Sequence, residues 1–258
     1  MGPQTAAALQ AFQRRVGLRE TGQLDAATTA QLLLSAPALA THITSAEDLT
    51  GLAPLPTTWL ERSQRPHLGY ATPLEALAER YRASPRLLQR LNPGVTWDAL
   101  APGTAVNAPA VGRVTFNANA ALIIIRLAAR TLTVMDANDH VVAQFPVSIA
   151  RKVEKRPLGE LRTTVVILDP NYTFDPEMYP ESPEAKQLTR RLIIPPGPNN
   201  PVGRAWIGLN LPGYGIHGTP DPEKVGRTES HGCFRLANWD AVALVTLVSV
   251  GLPVRVEP

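Results

Sequence analysis

The sequence predicts a mainly β domain from residue 111 to 258, preceded by small α-helical and α/β modules. Three observations carry this. Before residue 110, apolar side chains recur at helical spacing in short runs closed by Gly or Pro. After residue 111, β-branched and aliphatic residues gather in strand-length runs separated by turn residues. Prolines number 25 while aromatics are only 5% of the chain, which points to long ordered loops and connectors between these parts.

Residues 1–35 read as short helices. Thr5 to Val16 places Ala8, Leu9, Phe12 and Val16 on one face, with Gly17 as the stop. Asp25 is placed to cap a second helix carrying Ala26, Thr29, Ala30, Leu32 and Leu33. Residues 36–65, rich in Pro, Ala and Thr, read as a connector in which Trp59 is a packing anchor. Residues 66–110 form a small module. Thr72-Pro73 opens a helix with Leu74, Leu77, Ala78 and Tyr81, and Ser84-Pro85 opens a second with Leu87, Leu88 and Leu91. Asn92-Pro93-Gly94 ends it, and Val106 to Pro109 makes a return strand.

In residues 111–258, Val114, Phe116, Leu122 to Ile125, Leu127, Leu132, Val134 and Met135 read as strands. The turn Ala137-Asn138-Asp139-His140 leads into a returning strand from Val141 to Ile149. Thr163 to Leu168 and Ala205 to Leu209 are further strands. Asp169 to Pro201 is a long proline-rich loop of a kind that is usually functional or disordered. Asn238 is placed as N-cap of a helix from Asp240 to Val248, and Pro253 to Val256 closes the sheet.

The chemistry concentrates between Gly215 and Leu236. Cys233, the only cysteine, stands in the run Ser230-His231-Gly232-Cys233, with His217 upstream and Arg235 two residues on. A thiol needs a base or a cation to become the nucleophilic thiolate, and both kinds of group are close in sequence. Gly232 would let backbone approach a substrate closely, or take a positive φ. N–H groups around it are suited to an oxyanion pocket. His217, His231 and Cys233 are also the residue types of a zinc site, although no second Cys or suitably spaced His completes a tetrahedral set. A small buried hydrophobe and a His-Gly turn are the plainer readings. One cysteine excludes an internal disulfide and says little about compartment.

Net charge is +3 and no dense Lys/Arg run occurs, so nucleic acid is not an expected partner. No apolar stretch approaches 18 residues, because Arg126 stops the run at Leu122 to Ile125, and no transmembrane segment is expected. Met1-Gly2-Pro3 lacks the basic and apolar regions of a secretory signal.

The pattern His217-Gly218-Thr219, ten residues, Ser230-His231-Gly232-Cys233, one residue, Arg235 resembles the signature of the L,D-transpeptidases, the YkuD-type catalytic domain. Asn200-Pro201-Val202-Gly203 and Gly251-Leu252-Pro253-Val254 are similar to other family stretches. Arg156-Pro157-Leu158-Gly159 carries Arg where the family has Thr, and Phe234 stands where an aliphatic residue is usual. The resemblance covers roughly the last 145 residues, the size of one ordinary domain.

It implies a β-sandwich with a helix packed on it, and Cys233 as the nucleophile. It implies His217 as the base, which takes the thiol proton or holds it as an ion pair, oriented by the Gly218 carbonyl, and backbone at His231, Gly232 and Cys233 as oxyanion donors; the His231 side chain either tunes the thiolate or holds the loop. Arg235 is the candidate for gripping a substrate carboxylate, Ser230 a loop hydrogen-bonder in the substrate site, and the proline-rich loop a shield over the cleft. The implied partners are peptidoglycan stem peptides and glycan, with carbapenems acylating the cysteine, and no cofactor or metal. The implied location is the periplasm or cell envelope, with the export segment removed. L,D-carboxypeptidase action, ligation of a protein to peptidoglycan, and a non-catalytic wall anchor remain open beside cross-linking. Thr5 to Thr28 resembles the second half of a peptidoglycan-binding domain, and residues 66–110 resemble a LysM module without its usual Gly-Asp.

Overall fold

The computed structural model describes residues 2–32, 37–112, 114–116, 118–179, 182–227 and 232–258. Helix α1 (Pro3–Arg15) starts with proline in its first turn, where the missing N–H costs nothing. Helix α2 (Ala26–Gln31) is capped by Asp25, whose carboxylate accepts from Thr28 N. The buried centre here is polar. Gln13 is fully buried and bonds Thr21, Gln23, Thr28 and Gly22, whereas Ala8 and Val16 of the expected apolar face are exposed. Every hydrogen-bonding atom of the Gln13 amide is thereby satisfied, which is what permits its burial.

Strand β1 (Leu39–Ile43) lies in the stretch expected to be connector, and so does helix α3 (Trp59–Ser63), which is opened by a Thr58–Glu61 capping box. Helices α4 (Pro73–Arg80) and α5 (Pro85–Leu91) are capped by Thr72 and Ser84 where the sequence placed their starts. Strand β2 (Ala105–Pro109) pairs antiparallel with β1, so the small module is a β-α-α-β unit with Leu77, Leu88, Val106 and Ala108 in its core.

The remaining strands are β3 (Leu122–Arg126), β4 (Thr131–Met135), β5 (Val141–Pro146), β6 (Gly159–Leu168), β7 (Tyr172–Phe174), β8 (Leu192–Ile194), β9 (Ala205–Leu209), β10 (Gly215–His217), β11 (Phe234–Arg235) and β12 (Pro253–Glu257). Eight of them form one mixed sheet in the order β11-β10-β9-β6-β12-β3-β4-β5. Only the β10–β11 and β12–β3 pairs are parallel. The two edges meet: Ser148, just past β5, exchanges backbone bonds of 2.9 and 3.0 Å with Arg235 of β11. The sheet therefore curls around a single core, with Ile123, Leu132, Ile207, Ile216, Phe234 and Val254 inside it. Phe234 fills this core at less than 2% exposure.

Helix α6 (Asn238–Val245) covers the core through Ala241 and Leu244. Asn238 is not its N-cap. Ala237 holds that position without a side-chain bond, and the helix begins two residues earlier than expected. The Asn238 amide is drawn inward instead, accepting from Arg204 N at 3.1 Å and donating to Pro198 O at 3.0 Å. The proline-rich loop contains the antiparallel hairpin β7–β8 over a separate core of Phe174, Leu192, Ile194 and Leu68. We call this hairpin and its flanking turns the flap. Helix α1 rests on the outer strand, with the Gln144 side chain donating to Ala7 O at 3.0 Å. Among the described residues no helix is long and apolar enough to cross a membrane.

Candidate active site

The site is set by pairing parity. In the parallel β10–β11 pair, Ile216 faces Phe234 and His217 faces Arg235. Ile216 and Phe234 both point into the core. Alternation then puts His217, Arg235 and Cys233, which directly precedes β11, on the opposite face of the sheet. Two segments separated in sequence are thus brought together by adjacent strands.

His217 is 6% exposed. Its Nδ1 lies 2.6 Å from Gly218 O. A carbonyl oxygen only accepts, so Nδ1 carries the proton and Nε2 is left with a lone pair. Burial lowers the imidazole pKa to about 4, the Gly218 bond opposes this, and the Arg235 guanidinium lowers it further. Cys233 is half-buried, and its thiol donates to Gly213 O at 3.5 Å. Burial pushes this thiol above its ordinary value, against the Gly215 N–H and Arg235, which both favour the thiolate. The resting arrangement is therefore a neutral thiol and a neutral imidazole with its basic nitrogen open. Of the two forms the sequence left open, an ion pair is the disfavoured one here.

Arg235 is half-buried, and among the described residues no carboxylate pairs with its side chain. Gly232 does not take a positive φ. Its flank is open, with the Tyr214 ring 3.7 Å from where a Cβ would stand. Close approach of backbone is thus what glycine offers at this position. Ser230 and His231 lie outside the described residues. Among the described residues no group of three His, Cys, Asp or Glu side chains is placed to hold a metal ion.

Three features were not foreseen from the sequence. Trp206 of β9 is the cross-strand partner of His217, and the two rings stack with centroids 5.7 Å apart. Trp206 also lies over Gly215, where any Cβ would strike its ring. A tryptophan at a strand position paired to a candidate base is a signal visible only once the register is known. Second, Asn238 packs against Gly203 and Gly218, and a Cβ at either glycine would overlap its amide oxygen. Gly203 has φ +62 and closes the Asn200–Gly203 turn through its N–H to Asn200 O at 2.8 Å. This junction fixes the peptide whose carbonyl orients His217. Third, Tyr172 of the flap bonds Tyr179 through their hydroxyls at 2.7 Å. Its phenol pKa is raised by burial, then by Tyr179, then by the charge of Cys233.

Comparison with known proteins adds the following. The model of the L,D-transpeptidase catalytic domain matches residues 120–256, and that of a peptidoglycan binding domain matches residues 1–32. A Bacillus licheniformis protein named as L,D-transpeptidase YkuD is 26% identical over 185 residues, spanning 72% of this chain and 93% of that protein. A Fuscovulum blasticum protein named as an L,D-transpeptidase in the ATP synthase subunits region is 35% identical over 121 residues, 47% of this chain and 60% of its own length. Among solved structures, an L,D-transpeptidase from Mycobacterium smegmatis aligns over 60% of this chain and 66% of its own, with a TM-score of 0.41 and 22% identity.

Proposed function

Because the chain belongs to the L,D-transpeptidase family, we propose that Cys233 attacks a peptidoglycan tetrapeptide stem at the carbonyl of its third residue, a diamino acid. The thiol proton passes to His217 Nε2 as sulfur adds to the carbonyl carbon. Backbone N–H groups around His231, Gly232 and Cys233 receive the developing oxyanion. Collapse breaks the C–N bond, the imidazolium returns its proton to the leaving nitrogen, and D-Ala departs from a thioester. An acceptor amine then attacks, gives its proton to His217, and leaves as a cross-linked amide with the thiol restored. Water in the amine's place yields a carboxypeptidase product, and an amine on a protein yields ligation.

The observation that carries this reading is the His217–Gly218 bond, which leaves a basic nitrogen on the face shared with Cys233. Arg235, with no carboxylate partner among the described residues, is the group we assign to a substrate carboxylate. The peptidoglycan-binding match at residues 1–32 supports a role at the cell envelope. Residues 66–110, which contribute the core of Leu77, Leu88, Val106 and Ala108, we assign as a spacer, with glycan binding as the alternative role.

Intact-mass spectrometry tests the chemistry. A thioester adduct after incubation with a tetrapeptide stem or a carbapenem, absent in Cys233→Ala, is the expected result. Absence of any adduct on folded, reduced wild type overturns the reading. Product masses with and without an added amine decide among the three outcomes.

A further inference from the structure

Residues 55–65 belong to the stretch whose composition reads as a connector, yet together with Leu68 they complete the core of the flap. Leu55, Trp59 and Leu68 pack with Phe174, Leu192 and Ile194. Trp59 stacks on Phe174 with centroids 4.4 Å apart at 16°, and Phe174 stacks on Tyr179 at 5.1 Å and 15°. Tyr179 holds the hydroxyl of Tyr172, the residue whose phenol feels the charge of Cys233. A continuous line of packed rings thus runs from the connector to Tyr179, whose hydroxyl ties it to Tyr172. Aromatic stacking of this kind fixes ring planes as well as burying area.

Polar ties reinforce the same junction. The Glu184 carboxylate, from the flap, accepts from Trp59 N at 2.9 Å and Leu60 N at 3.0 Å. Leu68 N donates to Pro196 O at 2.9 Å and Asn199 N donates to Leu68 O at 3.1 Å. Gly197, with φ +137, lets the flap backbone meet the Leu68 carbonyl, which any Cβ would strike.

We propose that residues 55–68 clamp the flap, and that Trp59 is a positioning residue which holds it over Cys233 and limits access of water to the thioester. The inference rests on the acyl-enzyme reading where it concerns water. Thioester hydrolysis adds water across the C–S bond, releasing a carboxylic acid and the thiol. A flap held shut against bulk water but open to a bound amine favours transfer.

The test uses the full chain as wild type, Trp59→Ala, Trp59→Phe and Glu184→Gln. Gln keeps the volume but loses one of the two acceptor oxygens. Two readouts are taken. The first is the alkylation rate of Cys233 by iodoacetamide across pH 6 to 9, which needs no substrate. The second is the ratio of amine-transfer to hydrolysis products. Trp59→Ala is expected to raise alkylation at least fivefold at every pH and to lower the transfer ratio by a similar factor. Trp59→Phe restores both, and Glu184→Gln falls between. A purely structural role would lower the folded fraction without moving the ratio.

Unchanged alkylation and ratio in folded Trp59→Ala overturn the clamp. Should that variant fail to fold, Glu184→Gln decides alone by the same readouts. Faster alkylation in the variants together with no substrate acylation of wild type supports the clamp and overturns the transpeptidase reading instead.

Discussion

At pH 5.5 an ordinary imidazole, with a pKa near 6.5, is about 90% protonated and useless as a base. His217, held at about 4 chiefly by burial, is only about 3% protonated at that pH. The perturbation is therefore acidification from pH 8 to 3.5, and the readout is the rate of Cys233 acylation by a carbapenem, followed by intact mass. Burial pushes the Cys233 thiol above its ordinary value, so the neutral thiol is the form favoured over this range. With neutral His217 as base, the rate should stay within a factor of two from pH 8 to 5.5 and reach half near pH 4.

The same shift has a sign for stability. A base whose folded pKa is depressed binds fewer protons folded than unfolded between about 4 and 6.5, so stability falls as pH falls through that window. The full cost, reached below about 4, is about 3 kcal/mol at 1.36 kcal/mol per unit. Urea unfolding of wild type and His217→Asn at pH 7 and pH 4 isolates this increment, since the other titrating groups cancel. Circular dichroism at each pH separates lost base from lost fold. An inflection near 6.5 would refute the burial argument. A tenfold rise in rate per pH unit from 5.5 to 8 would mean that thiolate forms without His217.

Further outcomes follow from other contacts. Gly203→Ala forces φ +62 on a residue with a Cβ and drives that Cβ into the buried Asn238 amide. Strain plus disrupted bonds to Arg204 N and Pro198 O should cost about 3 kcal/mol or more, read as a Tm lower by ~10 °C. Trp206→Ala opens His217 to water, so the acidic limb of the acylation profile should move up from pH 4 toward 6.5; an unmoved limb would show that other walls keep the ring dry. Arg235→Gln should raise KM for a carboxylate-bearing stem at least tenfold with a smaller change in kcat, and an unchanged KM would place the carboxylate elsewhere. Asp240 and Glu79 are both raised to about 7, chiefly by burial, against the charges of Arg82 at Asp240 and Arg204 at Glu79, so the fold favours their protonated forms. Their contribution is present below pH 4 and lost as pH rises through 7, so Asp240→Asn should raise Tm at pH 8 and leave it unchanged at pH 4.

What the sequence made legible and what it hid divide along a physical line. Local signals were readable: Asp25, Thr72 and Ser84 cap helices where their hydroxyl or carboxylate oxygens meet open N–H groups. The apolar runs at Leu122 to Ile125 and Ala205 to Leu209 became strands because their burial needs no distant information beyond a partner sheet. Asn238 misled because Asn at a helix start normally turns its side chain to the free N–H groups. Here the Gly203 and Gly218 backbones leave a hole that only a buried amide fills, and two glycines far apart in sequence do not announce that they meet.

The connector misled for a related reason. β1 has an unremarkable composition and is a strand only because β2 pairs with it across sixty-odd residues. Helix α3 is too short to show a period and is held by Glu184 of the flap. The Cys233 and His217 side chains could be picked out by residue type, since thiols and imidazoles are few. Their electrostatic setting could not, because it comes from Trp206, a neighbour by strand register, and from the depth at which β10 is buried. In this chain the reactive groups are written locally, and the conditions under which they react are written in the pairing.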